Sequence, residues 1–194
     1  METQLDELIY SNRFTKIEVK DYVILFDSIM GLCQSSMSDL KNANNDIPFF
    51  DFKNETFTVK VVDVYDGDTC TVVFKYKNEL VKFKVRCMGY DSPEMKPPLS
   101  DKNRKNIIEK AIEARNYFID LTSNCKLSSD VSYSKNELKN ILSEKNTKLI
   151  KMECHGMDKY GRMLGTFFVN NVNVNNIMIK NNHGYPYYGG TKLK

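Results

Sequence analysis

One stretch, Tyr65 to Met95, limits what this chain can become more than any other. It reads Y-D-G-D-T-C-T-V-V-F-K-Y-K-N-E-L-V-K-F-K-V-R-C-M-G-Y-D-S-P-E-M. Thr69 to Tyr76 is β-branched and aromatic, Leu80 to Met88 alternates apolar with basic residues, and Asn78-Glu79 between them can turn. Two strands joined as a hairpin are expected. Facing positions in an antiparallel pair have a constant sum, and a turn centred near Asn78-Glu79 makes that sum about 157. Asp68 is then expected opposite the neighbourhood of Gly89, a residue or two from Asp91.

Two carboxylates brought within a few Å repel each other unless a cation lies between them, and oxygen donors suit a hard ion, Ca²⁺ or Mg²⁺. Gly67 and Gly89 let the backbone turn closely, and Pro93 stiffens the loop that carries Glu94. Arg86 stands on the strand leading into that loop, where a guanidinium can grip a phosphate with two prongs. A second motif, Asp158-Lys159-Tyr160-Gly161-Arg162, lies between the apolar segments Leu149 to Cys154 and Met163 to Val169. It reads as another hairpin turn and offers a second arginine for the same anion.

Taken in order, D-G-D-T, V-R-C-M-G-Y-D-S-P-E, E-K-A-I-E-A-R-N-Y-F, D-K-Y-G-R and Y-P-Y-Y-G-G-T-K resemble the staphylococcal nuclease (thermonuclease) family, from Phe57 to about Tyr188. The resemblance implies that Asp68 and Asp91 bind Ca²⁺, with the Ser92 carbonyl as a further ligand where the family usually has threonine. It implies that Glu94 activates or orders the attacking water and that Arg86 and Arg162 grip the scissile phosphate. Asp66 matches an acidic residue that supports the site through water. Lys159 and Tyr160 match contacts to a neighbouring phosphate, and Tyr187 and Tyr188 match tyrosines that stack on the base or touch the sugar. Pro186 and Gly189-Gly190 depart from the family's spacing around those tyrosines. The activity implied is a Ca²⁺-dependent endonuclease, tolerant of either sugar, acting on single-stranded or frayed DNA and RNA and leaving 3′-phosphate ends. The alternative is a non-catalytic nucleic-acid-binding or protein-docking barrel, which such domains become on losing their acidic residues and arginines; this chain keeps them all.

The fold class expected is β-rich α+β. Phe57 to Tyr65 adds a strand before the hairpin, Lys148 to Cys154 and Arg162 to Val169 supply two more, and a helix from Asp101 or Asn103 to about Leu121 falls between the third and fourth. Five strands so ordered make a partly open Greek-key barrel of OB type. Ser134-Lys135-Asn136-Glu137 reads as a capping box before a short helix, inside an insertion spanning 124–147 that has no evident use. Another short helix is expected over Val172 to Asn181. Ahead of this domain, 56–194, residues 1–55 form an acidic extension whose first 46 residues read as one or two helices. That extension is expected to pack on the barrel.

Charge divides the same way. Residues 1–55 hold 5 Lys and Arg against 10 Asp and Glu, whereas residues 56–194 hold 23 against 15, which suits a polyanion bound by the body alone. No apolar run approaches the roughly 20 residues of a membrane helix, and the first residues lack the pattern of a signal peptide. An intracellular, reducing setting is therefore expected. Five cysteines without C-x-x-C spacing indicate neither a disulfide framework nor a zinc site. His155 and His183, the only histidines, make a histidine-based centre improbable.

Overall fold

A computed structural model of the chain describes residues 37–188. The chain divides into two units, Met1–Phe50 and Asp51–Lys194. In the first, residues 37–42 are helical, and the other expected N-terminal helical positions lie outside the described residues. The second carries every strand discussed below.

The hairpin forms from β2, Thr69–Tyr76, and β3, Glu79–Cys87. Its turn falls one residue earlier than expected, at Lys77-Asn78, and Thr69 faces Arg86 while Tyr76 faces Glu79. A two-residue turn of this hand needs positive φ at both central positions, and Lys77 and Asn78 take it at 46° and 68°. Glu79 is left to the strand. The shift puts Asp68 opposite Cys87, whose N–H donates to the Asp68 carbonyl at 2.7 Å.

β1, Thr56–Val64, runs antiparallel to β2 and also to β5, Ile150–Met157, which pairs in turn with β6, Met163–Val169. β6 then pairs in parallel with β3, Val85 facing Met163 and Arg86 facing Leu164, and this seam closes a five-stranded barrel that was expected to stay partly open. Gly165 permits the seam, since a Cβ there would lie 2.8 Å from the Val85 side chain. Along each strand, alternate residues point inward, and Val59, Val61, Val72, Val85, Met152, Met163 and Phe167 form a solvent-free centre.

Two helices separate β3 from β5. α1, Arg104–Thr122, presents Ala111, Ala114, Phe118 and Ile119 to the barrel, with Phe118 edge-on to Phe167. Asn103 is its N-cap, but the Asn103 side chain caps nothing; Asp101 accepts from the Asn103 N–H at 2.8 Å and shapes the entry instead. α2, Lys135–Lys145, starts in the expected capping box, in which Ser134 and Glu137 each accept from the other's N–H. Ser134→Ala should therefore lower unfolding free energy by about 1 kcal/mol in urea titration.

α2 changes the reading of residues 124–147. Leu138 and Leu142 are fully buried in the same core as the barrel residues, and the buried Asn146 amide donates to the Val61 carbonyl of β1 at 2.8 Å. The insertion is part of the core wall. α3, Val174–Lys180, begins two residues later than expected because Val172–Asn173 form a short strand, β7, against β6. β8, Tyr185–Tyr187, pairs with β4, Gly89–Asp91, and brings the end of the described chain back to the D-S-P-E loop.

Candidate active site

The D-G-D-T segment crosses from β1 to β2 under α1. A Cβ on Gly67 would lie 2.9 Å from the Cβ atoms of both Ala114 and Ser92, so only glycine lets this loop lie against the helix and the loop after β4. The Tyr90 hydroxyl, on β4 and fully buried, donates to the Gly67 carbonyl at 2.6 Å and fastens the two loops together. Burial pushes the Tyr90 phenol well above its ordinary pKa, which keeps it a donor.

With the loops fastened, Asp68 and Asp91 share one partner. Arg86 pairs with Asp68 at 3.0 Å through one terminal amino group and with Asp91 through the other. Asp68 also accepts from the Thr69 hydroxyl at 2.9 Å and from the Ser92 N–H at 2.6 Å. Asp66 lies behind, accepting from the Asp68 N–H at 3.1 Å. All three carboxylates are buried, at 9%, 6% and 3% exposure for Asp66, Asp68 and Asp91. The one guanidinium pairs with two of these three buried carboxylates. Burial first, and the Asp68 charge second, push Asp66 up to about 7.

That shortage of positive charge, together with hard oxygen donors, fits a divalent cation held by Asp68 and Asp91. The Ser92 hydroxyl is buried beside them without a hydrogen-bond partner, another oxygen in a polar site that the protein's own donors do not saturate. Among the described residues no three His, Cys, Asp or Glu side chains converge as a ligand set. A cation here would complete its shell from the Ser92 carbonyl, water or substrate.

The D-K-Y-G-R motif forms the β5–β6 turn, with Gly161 at φ +74°. Asp158 organises it, accepting from the Tyr160 N–H at 2.8 Å, the Arg162 N–H at 2.9 Å and the Arg162 Nε at 2.7 Å. Burial alone would raise the Asp158 pKa, but these bonds outweigh it and leave it lowered. Arg162 immediately precedes Met163, which faces Val85, so it enters beside the Arg86 end of β3. The arginines expected to share one anion are thus each engaged by carboxylates, Arg86 by Asp68 and Asp91 and Arg162 by Asp158. They border different hollows. Arg86 lines a cleft of about 170 Å³ with Gly89, Leu164, Tyr187 and Tyr188, whereas Arg162 lines a larger one with Thr69 and Lys84.

The remaining expected residues are more exposed. Glu94 stands exposed in the loop three residues beyond Asp91. Lys159 and Tyr160 occupy the turn tip, with the Lys159 ammonium 5.1 Å and the Arg162 guanidinium 5.6 Å from the Tyr160 ring centre. His155 bonds Thr166 and His183 stacks on Tyr117. Sequence reasoning passed over Thr69, Tyr90 and Asn175. The first two lie inside motifs already singled out, while Asn175, whose amide donates to the Met88 and Gly165 carbonyls, carries no signal in the sequence.

A family model described as staphylococcal nuclease homologue matches residues 84–188, just over half of the chain. The match includes Arg86, Asp91, Glu94 and Arg162 and begins after Asp68. No curated protein matches the chain.

Proposed function

The chain belongs to the staphylococcal nuclease homologue family, and from that premise we propose that it is a Ca²⁺-dependent endonuclease hydrolysing phosphodiester bonds in single-stranded or frayed DNA and RNA. The observation that carries this reading is the buried Asp68–Arg86–Asp91 cluster at the edge of a cleft lined by two tyrosines. A family nuclease domain has a nucleic acid as its expected substrate.

Ca²⁺ bound at Asp68 and Asp91 would stabilise negative charge growing on the phosphoryl oxygens and acidify a nearby water. Arg86 uses three of its five donors on Asp68, Asp91 and the Cys87 carbonyl, leaving two for a phosphate oxygen. Arg162 is anchored through Nε alone, and its terminal amino groups make no hydrogen bond among the described residues. In-line attack concentrates charge on the non-bridging oxygens, where two fixed guanidiniums act more strongly on the transition state than on the ground state. Glu94 takes or orients the proton of the attacking water, Asp66 supports the Asp68 loop, Lys159 and Tyr160 meet a neighbouring phosphate, and Tyr187 and Tyr188 stack on the nucleoside.

Plasmid DNA and single-stranded RNA should both be degraded with Ca²⁺ and left intact with chelator. Binding without cleavage in Ca²⁺ would return the non-catalytic barrel. Glu94→Gln should lower turnover on the order of 10²-fold while nucleotide and Ca²⁺ affinities stay within about twofold, because a base or water-orienting group acts in the barrier rather than in binding. Equal losses in affinity and rate would assign Glu94 to binding instead.

A further inference from the structure

Beyond Arg162, the outer face of the hairpin opens into two contiguous hollows of about 480 and 540 Å³ that share Asp63, Thr71, Lys84 and Lys135. Their floor is built by strand alternation. Lys82 and Lys84 occupy alternate positions of β3 and so point to one face, roughly 6.6 Å apart along the strand. Across the ladder Thr71 faces Lys84, giving a polar floor. The wall is α2, whose Lys135 and Lys139 line the second hollow, and Lys96 of the loop after β4 borders the first. Asp63 is the single carboxylate among the lining residues, and Lys139 lies 3.8 Å from it.

Arg115 of α1 also lines the first hollow. It is 5% exposed, donates to the Tyr133 carbonyl at 3.2 Å, and pairs with no carboxylate among the described residues; its Nε has no hydrogen-bond partner. A buried guanidinium without a counter-charge favours an anion in the adjoining space. A row of exposed lysines is by itself only a solvated face. A row that ends on an unpaired buried arginine and then on Arg162 has a direction.

We propose that this groove, walled by α2, carries the sugar-phosphate backbone of a single strand several nucleotides beyond the cleavage position. The inference rests on the nuclease reading and extends it: the substrate is a polynucleotide held on both sides of Arg86 and Arg162, by the tyrosine cleft and by the lysine groove. Residues 124–147 thereby acquire a use, since α2 supplies the groove wall and Tyr133 holds Arg115. A phosphate backbone is the fitting occupant because the lining sets seven lysine and arginine side chains, with Thr69 and Thr71 hydroxyls among them, against the one carboxylate of Asp63.

The test separates groove from catalysis by measuring binding in chelator, where no cleavage is expected. A fluorescein-labelled oligodeoxynucleotide of about twelve nucleotides is titrated with the full chain across a range of salt. The triple variant Lys82→Ala, Lys84→Ala, Lys135→Ala removes three exposed side chains and leaves the core untouched. Its dissociation constant should rise on the order of tenfold or more, and the slope of log K against log salt should shrink by about 2, at roughly 0.7 for each phosphate no longer neutralised. Lys180→Ala, on α3, should match the wild type. Unchanged affinity and slope in the triple variant, or an equal loss in Lys180→Ala, would overturn the groove. If the wild type fails to cleave with Ca²⁺ while the triple variant still loses its salt-dependent binding, the nuclease reading falls and the groove stands.

Discussion

Arg86→Ala is expected to lower turnover on DNA and RNA on the order of 10²- to 10³-fold, as loss of one preorganised donor to a developing oxyanion does. The structure adds a second consequence. Arg86 is also the counter-ion of Asp68 and Asp91, both nearly buried, so its removal leaves two carboxylates facing each other without a cation. Breaking a buried pair in this way costs about 3–5 kcal/mol. In chelator the variant should melt well below the wild type. Added Ca²⁺ should restore far more of its midpoint than it adds to the wild type, because the cation supplies the charge the arginine gave. Arg86→Lys should keep most of the stability and lose most of the rate, since an ammonium is a point charge without the planar fork. Wild-type cleavage by Arg86→Ala would remove the residue from the mechanism, and a thermal midpoint insensitive to Ca²⁺ would remove the cation from the carboxylates.

Leu142→Ala tests the other main departure from expectation. Leu142 is wholly buried between α2 and the barrel core, and truncation of such a leucine costs about 2–5 kcal/mol, depending on how far the site can collapse. The loss should appear as a shift of the urea midpoint with an unchanged slope. An appendage outside the core would give no shift. Because α2 also walls the lysine groove, a destabilised α2 should weaken oligonucleotide binding before it affects the Asp68–Arg86–Asp91 cluster, which β2, β3 and β4 hold.

Much of the fold was legible because it depends on local rules. β-branched alternation marked β2 to the residue, the Ser134–Glu137 spacing marked the start of α2, and helical apolar spacing placed the end of α1 within a residue. The misplaced hairpin turn was also a local matter: two residues able to adopt positive φ outweighed a turn-like Asn-Glu pair. Barrel closure was not legible, since it depends on Gly165 meeting Val85 across a parallel seam between strands some eighty positions apart in the chain. Nor was the docking of residues 124–147, a mostly polar and exposed segment that reaches the core through Cys125, Leu138, Leu142 and Asn146.

At the candidate site the division is similar. The sequence by itself determined which chemical groups are present, their order, and that a hairpin would bring the two acidic loops near one another, because strand pairing and turn chemistry act over a few residues. Only the tertiary structure decided who pairs with whom: that Arg86 spans Asp68 and Asp91, that Arg162 is held by Asp158, and that the arginines border separate hollows. Charge pairing depends on distance and burial in three dimensions, and neither is encoded in the spacing of residues along a chain.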